Sequence, residues 1–393
     1  MATNIRVRVN PDVLRWARVT AKLDVETAGH RIGVGADRVH AWEDGSAQPT
    51  LNQVRQMSNQ YHRPLAAFFM PQPLEKEELR DVPDFRRPAT RASVDPASLQ
   101  RAVMRAYRQR DALREIADDF DTPDDERFAS FALSADDTAE VSGERLRAAL
   151  SMDAIGQSVV ERPEEFLRAL THRAESLGVT VTQVQRVPVS LMRGFSLADG
   201  TFPVIALNGA DWPRGKAYTL LHELAHVGFR VSGLCDLQRD QDPKIERLCE
   251  ETAAAALMPA KAFLSRIGRL QGAGLDVAVA SALGSGFGAS GEAAVLRMIE
   301  LRRATWGDYQ RLKPEFEDAY TRFKAQERGK SESTESLPIF YQLKARDLGR
   351  PFIRQVLRAY DDDALSSRDL VQLLEVTYDK IPRLAGVLGD VAV

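Results

Sequence analysis

The stretch TLLHELAHVGF, residues 219–229, decides how the chain reads. Ala217, Leu220, Leu221, Leu224 and Gly228 recur at three- and four-residue intervals. That spacing predicts a helix over about 212–230 with one buried face. On such a helix His222 and His226 stand one turn apart along the axis and about 40° apart around it, so both imidazoles can reach a single ion. Glu223 falls on the same side, set to hold a water against that ion. Two neutral imidazole ligands beside a carboxylate that acts as general base are what metal-assisted hydrolysis requires of the His-Glu-x-x-His spacing.

A catalytic zinc takes three protein ligands and keeps one position for water, so a third ligand is expected. The next strong helical pattern, 244–258, offers Glu246, Glu250 and Glu251. Glu250 and Cys249 each share a face with Glu246 by i,i+4 and i,i+3 spacing. Upstream, the periodicity changes from helix to strand. VTVTQVQ (179–185) alternates apolar and polar, and MRGFSL (192–197) and FPVIALN (202–208) are two further strands joined through Asp199-Gly200 as a hairpin. Asp211 is placed to cap the helix that follows.

Three segments carry a resemblance. GFSLADGTFPVIALN (194–208), TLLHELAHVGF (219–229) and IERLCEETAAAALMP (245–259) resemble the ImmA/IrrE metallopeptidase family, in which a GFS-type strand, an HELxH helix and an ExxAN-x-FAA-x-LLMP helix follow one another. The resemblance implies Zn2+ held by His222, His226 and Glu246, with Glu223 catalytic. It leaves Glu250 as the alternative third ligand, because Glu250 stands where the family has an amide or Asp. Cys249 and Thr252 also depart from the pattern, and Cys249 reads as a small buried side chain. Tyr218, Arg193 and Arg230 are candidates for stabilising an oxyanion. His172 stands outside any ligand spacing and reads as structural or solvated.

The N-terminal 70 residues read differently. Five short helical pieces are expected at 11–21, 25–32, 36–42, 51–61 and 65–69. The run ETAGHRIGVGADRVHAWEDGSAQPTLNQV (26–54) resembles a Cro/repressor-type (Xre) helix-turn-helix, with Ala28, Ile32, Val39 and Trp42 in the core. In that pattern 36–43 is the helix that enters the major groove. Its face is poor in base-reading side chains, but Arg31, Arg38 and His40 could contact phosphate. Residues 1–74 hold nine Arg/Lys and six Asp/Glu, a local +3 within a chain whose net charge is −3. That balance excludes a globally basic nucleic-acid binder and permits a local one. A module that docks another helix-turn-helix protein fits the same residues.

The remainder sets boundaries. Residues 72–97 are proline- and charge-rich and read as a linker or strap; 98–116 is an arginine-bearing helix; DDFDTPDDE (118–126) reads as a loop. Helices are expected at 140–150 and 163–177, a helical hairpin at 277–301, a polar linker at 329–336 and a last helical segment at 338–389. No run of 18 apolar residues and no signal-peptide pattern is present, and the two cysteines form no CxxC pair, so a cytoplasmic protein with no membrane partner is expected.

The expected architecture is mainly α with a small β-sheet (α+β). It comprises a helix-turn-helix domain at 1–72, a linker and helical lead-in at 73–175, a zincin-like peptidase core at 176–310 and a C-terminal helical segment at 311–393. The resemblance implies a zinc-dependent endopeptidase that regulates transcription by cleaving a helix-turn-helix repressor in a stress, phage or mobile-element response. The alternative is a DNA-binding regulator or the antitoxin of a toxin–antitoxin pair, with the peptidase-like domain as sensor or docking surface. Expected partners are accordingly a repressor substrate, operator DNA, a cognate toxin or a second copy of the chain.

Overall fold

The computed structural model describes residues 6–21, 23–61, 65–70, 96–119, 132–198, 200–231, 243–269, 274–331 and 337–389. Among these residues the chain is mainly helical with one small mixed sheet, as the sequence predicts. It divides into two compact units, Met1–Met104 and Arg105–Val393. No helix among the described residues is long and apolar enough to cross a membrane.

The first unit contains α1 (Pro11–Thr20), α2 (Val25–Ile32), α3 (Ala36–Glu43), α4 (Leu51–Tyr61) and a 3-10 turn at Leu65–Phe69. Local chemistry sets the ends. Asn10 caps α1 by accepting from the Asp12 amide, and Asp24 caps α2 by accepting from the Thr27 amide. Gly33 ends α2 in the left-handed region at φ 77°, which a residue with a Cβ adopts only at a cost. Ala28, Ile32, Val39 and Trp42 are buried together, as expected. Glu43 does more than end its helix: its buried carboxylate accepts from Arg18 Nε at 2.6 Å and Nη2 at 2.8 Å, tying α3 to α1. Most of the expected 72–97 linker lies outside the described residues; its last two positions belong to α5 (Pro96–Asp119).

The second unit is built around the sheet. Strands β1 (Thr180–Val184), β2 (Gly194–Leu197) and β3 (Val204–Asn208) lie in the order β1-β3-β2. β1 pairs in parallel with β3, Thr180 opposite Val204, and β2 pairs antiparallel with it, Gly194 opposite Leu207. β1 forms where the alternation places a strand, and all five of its residues are buried. The polar ones are covered because helices pack on the strand from more than one direction, α8 (Pro163–Ser176) among them. Thr182 Oγ1 finds a partner by donating to the Ile205 carbonyl at 3.2 Å.

Helices α6 (Ala139–Ala149) and α7 (Gln157–Val160) precede α8, and α9 (Pro213–Phe229) and α10 (Pro243–Leu257) follow the sheet. Then come α11 (Ala260–Gly268), the hairpin of α12 (Val277–Ser285) and α13 (Gly291–Glu300), and α14 (Trp306–Ser331). Residues 329–331 therefore continue a helix rather than a linker, and 332–336 lie outside the described residues. Likewise Asp118 and Asp119 complete α5, and the rest of the acidic stretch lies outside.

The last helices are α15 (Leu337–Leu348), α16 (Arg350–Asp361), α17 (Ser367–Leu374) and α18 (Ile381–Gly386). They share a core with the second half of α5, including Leu113, Ile116, Ala345, Phe352 and Leu384. They also reach the sheet. Gly349, at φ 85°, lies so close to β1 that a Cβ there would come within 3.0 Å of the Val181 carbonyl oxygen.

Candidate metal centre

Helix α9 carries the two histidines through the middle of the second unit. Pro213 opens it at a position where no amide hydrogen is needed. Asp211 lies one residue too early to be the cap: Trp212 is the N-cap residue, and Asp211 Oδ1 accepts from the Trp212 amide at 2.8 Å. Arg230 closes the helix in the left-handed region at φ 56°, and the next amide, of Val231, donates to the His226 carbonyl at 3.0 Å. The single apolar stripe understates the burial. Lys216, Thr219, His222, Glu223 and His226 are buried along with the aliphatic residues, because α8, α10, β2 and β3 surround the helix.

Within this packing the imidazoles turn toward each other. His222 Nε2 and His226 Nε2 are 3.2 Å apart, and the rings meet edge to face with centroids 4.8 Å apart. Glu246, in the first turn of α10, faces both, with Oε1 3.1 Å from His222 Nε2 and Oε2 3.3 Å from His226 Nε2. These three are the one group of metal-ligating type found among the described residues. The separations are themselves a test of fit. Ligand atoms about 2.0–2.1 Å from a tetrahedral zinc stand about 3.3 Å from one another. The observed edges of 3.1–3.3 Å match that spacing. Burial pushes the Glu246 carboxyl up, but the hydrogen bonds and charge of the two imidazoles outweigh it and hold the group well below the ordinary range.

The alternative ligands fall elsewhere. Glu250 is exposed and outside the cluster, and Cys249 is fully buried and also outside it. His172 is exposed on α8, consistent with a solvated histidine. Tyr218 is already engaged: its hydroxyl donates to the Glu250 carbonyl at 3.1 Å, one turn beyond Glu246, and so ties α9 to α10. Arg193 extends toward buried Asp211, at 3.5 Å, and is 61% exposed. Arg230 serves as the helix C-cap. Arg31 is half-buried on α2, while Arg38 and His40 are exposed on α3; these three belong to the first unit and have no part in the cluster.

Two features of the centre escaped the sequence reading. Glu223 is 2% exposed and lies against β2: a Cβ on Gly194 would come 3.4 Å from Glu223 Oε1 and 2.5 Å from Thr219 Cγ2. The glycine of GFS is thus the contact that lets an edge strand approach the helix beside the carboxylate. The other is the anchor of α10 at its far end. Arg297, 1% exposed, pairs with Glu140 and Glu300 and donates from Nε to the Met258 carbonyl at 3.1 Å. The Leu-Met-Pro signature marked that end of the helix; nothing in it named the arginine, which arrives from 39 residues further on.

No curated protein matches the chain. Residues 174–298, which span the sheet, α9, α10 and the helical hairpin, match the family model described as the IrrE N-terminal-like domain (Peptidase_M78), and this stretch is metallopeptidase-like in the ImmA/IrrE manner.

Proposed function

We propose that the chain is a zinc-dependent endopeptidase, and that the convergence of His222 Nε2, His226 Nε2 and Glu246 beside the buried Glu223 carries that reading. The three side chains would hold the ion. Zinc, when bound, polarises the scissile carbonyl and lowers the pKa of a water. Glu223 would accept the proton of that water at its carboxylate and deliver it to the leaving amine nitrogen. Its position on α9, between the two histidines in sequence and against β2, would keep it near the ion without making it a ligand. The substrate in this reading is a helix-turn-helix repressor whose cleavage releases transcription in a stress, phage or mobile-element response.

Metal analysis and a cleavage assay test it together. Wild type purified without added metal carries about one zinc per chain, and His222→Ala loses it. Glu223→Gln keeps the metal and loses cleavage of the repressor. A wild-type chain that takes up no zinc on titration, or a Glu223→Gln chain as active as wild type, refutes the reading.

A second reading rests on a separate observation. Arg38 and His40 are exposed on α3, which follows α2 across the Gly33-Val34-Gly35 turn in the manner of a helix-turn-helix. Here the chain is a DNA-binding regulator or antitoxin, with operator DNA, a cognate toxin or a second copy as partner, and acts in the cytoplasm. Promoter binding that weakens steeply with salt, and weakens further in Arg38→Ala, supports it.

A further inference from the structure

A second concave site lies on the same unit, far from the paired histidines. It is a cavity of about 390 Å³ reached between α6, α8 and α11. Leu257, which lines it, follows Glu246 on α10 by 11 residues, or about 16 Å of helix. Met152, Phe166 and Leu257 are buried and form an apolar floor, and Phe287 forms a wall.

The mouth is basic. Arg147, Arg266 and Arg269 line it against a single carboxylate, Asp153. Arg147 is committed, donating to Asp153 from Nε at 3.0 Å and to the Ala256 carbonyl at 2.9 Å. Among the described residues neither Arg266 nor Arg269 pairs with a carboxylate.

Arg266 is nevertheless fixed. Its guanidinium lies over the Phe287 ring, 5.7 Å from the centroid, and packs on Gly286, where any Cβ would collide with it. That stretch of backbone is pinned in turn, because Gln157 Nε2 donates to the Gly286 carbonyl at 3.0 Å. A guanidinium held against an aromatic ring, with no carboxylate partner among the described residues, presents planar donors that suit a carboxylate or phosphate. Beside a floor of aromatic and aliphatic carbon it suits a molecule with two ends.

We propose that this cavity binds a small amphipathic anion. Its oxyacid head, a carboxylate or phosphate, sits on Arg266 and Arg269. Its apolar or aromatic body lies against Phe287, Phe166 and Met152. The volume is at the low end for ligand pockets, which limits the body to one or two rings or a medium-length acyl chain.

Fluorescence titration of the full chain with 1-anilinonaphthalene-8-sulfonate tests this, with octanoate and 1-naphthyl phosphate as competitors. One saturable site is expected, displaced by the competitor whose head matches. Displacement by octanoate assigns a carboxylate ligand, and displacement by the naphthyl ester a phosphate. Arg266→Gln, which orphans no partner, weakens the dye about tenfold or more. Ala262→Trp, a change at an exposed position on the rim, blocks the cavity. Both variants melt as wild type does. Dye binding that does not saturate, or that is unchanged in both variants, overturns the proposal.

Discussion

Replacing Gly194 with alanine probes the contact between β2 and α9. The added Cβ would stand 2.5 Å from Thr219 Cγ2 and 3.2 Å from the Ala206 carbonyl oxygen. Carbon atoms pack at about 3.5–4.0 Å, so the first contact must open by about 1 Å. Thr219 cannot swing clear easily, since it is buried on a helix, where a β-branched residue has few rotamers to choose from. Overpacking of this kind costs about 1–3 kcal/mol, and about 2 kcal/mol is expected here because the clash falls between two main elements of the core. The shift is relieved by removing the obstacle. Thr219→Ala deletes Cγ2, so the double variant recovers most of the loss, with a coupling of about 1 kcal/mol or more. Paired urea melts of the four proteins measure both quantities. If Gly194→Ala lies within about 0.5 kcal/mol of wild type, or if its cost is the same with and without Thr219, the glycine is not there for close approach and the account is wrong.

Three further outcomes follow from the geometry. Arg297→Met leaves Glu140 and Glu300 without the buried guanidinium they face, and a loss of about 3 kcal/mol is expected in a urea melt, reduced by the partial exposure of the two carboxylates; a loss under about 1 kcal/mol would show the network to be incidental. Glu175 is pushed up from near 4.5 to about 7 by burial, against the opposing pull of Arg350 and Arg354. The native state then binds a proton that the unfolded chain has already released, so stability falls as pH rises from about 4.5 to about 7, by at most about 3 kcal/mol. Glu175→Gln flattens that part of the pH–stability curve, and an unchanged slope refutes the assignment. In the first unit, Glu43→Gln weakens the bond to Arg18 and lowers the stability of Met1–Met104 by about 2 kcal/mol, read from the near-ultraviolet signal of Trp42, which is buried beside it.

The sequence exposed the helices better than it exposed their surroundings. Helix α2 and helix α4 begin and end where periodicity and capping place them, because Asp24, Gly33 and the apolar spacing act within a few residues of each other. The triad of His222, His226 and Glu246 was legible for the same reason: helical spacing brings two of its members together, and the family likeness supplied the third. What stayed hidden depends on elements distant in the chain. The alternation in VTVTQVQ records side-chain type and marks a strand, whereas the full burial of β1 depends on α8, α15 and α16. Tyr218 could be named as an active-site candidate from its position one turn before His222, yet its hydroxyl goes to α10, which no local pattern reveals. Glu43 read as the end of a helix and is in fact the acceptor of two bonds from α1.

Gly349 gives the C-terminal helices a significance beyond their own packing. By bringing the α15–α16 junction onto β1, it makes residues 337–389 part of the cover of a strand that α8 also packs against, and without them some of Thr180-Val-Thr-Gln-Val would face solvent. A chain shortened before residue 337 would therefore not behave as a smaller, independent peptidase. It would carry an adhesive margin, rich in valine and threonine, ready to recruit a strand from a neighbour and begin aggregation.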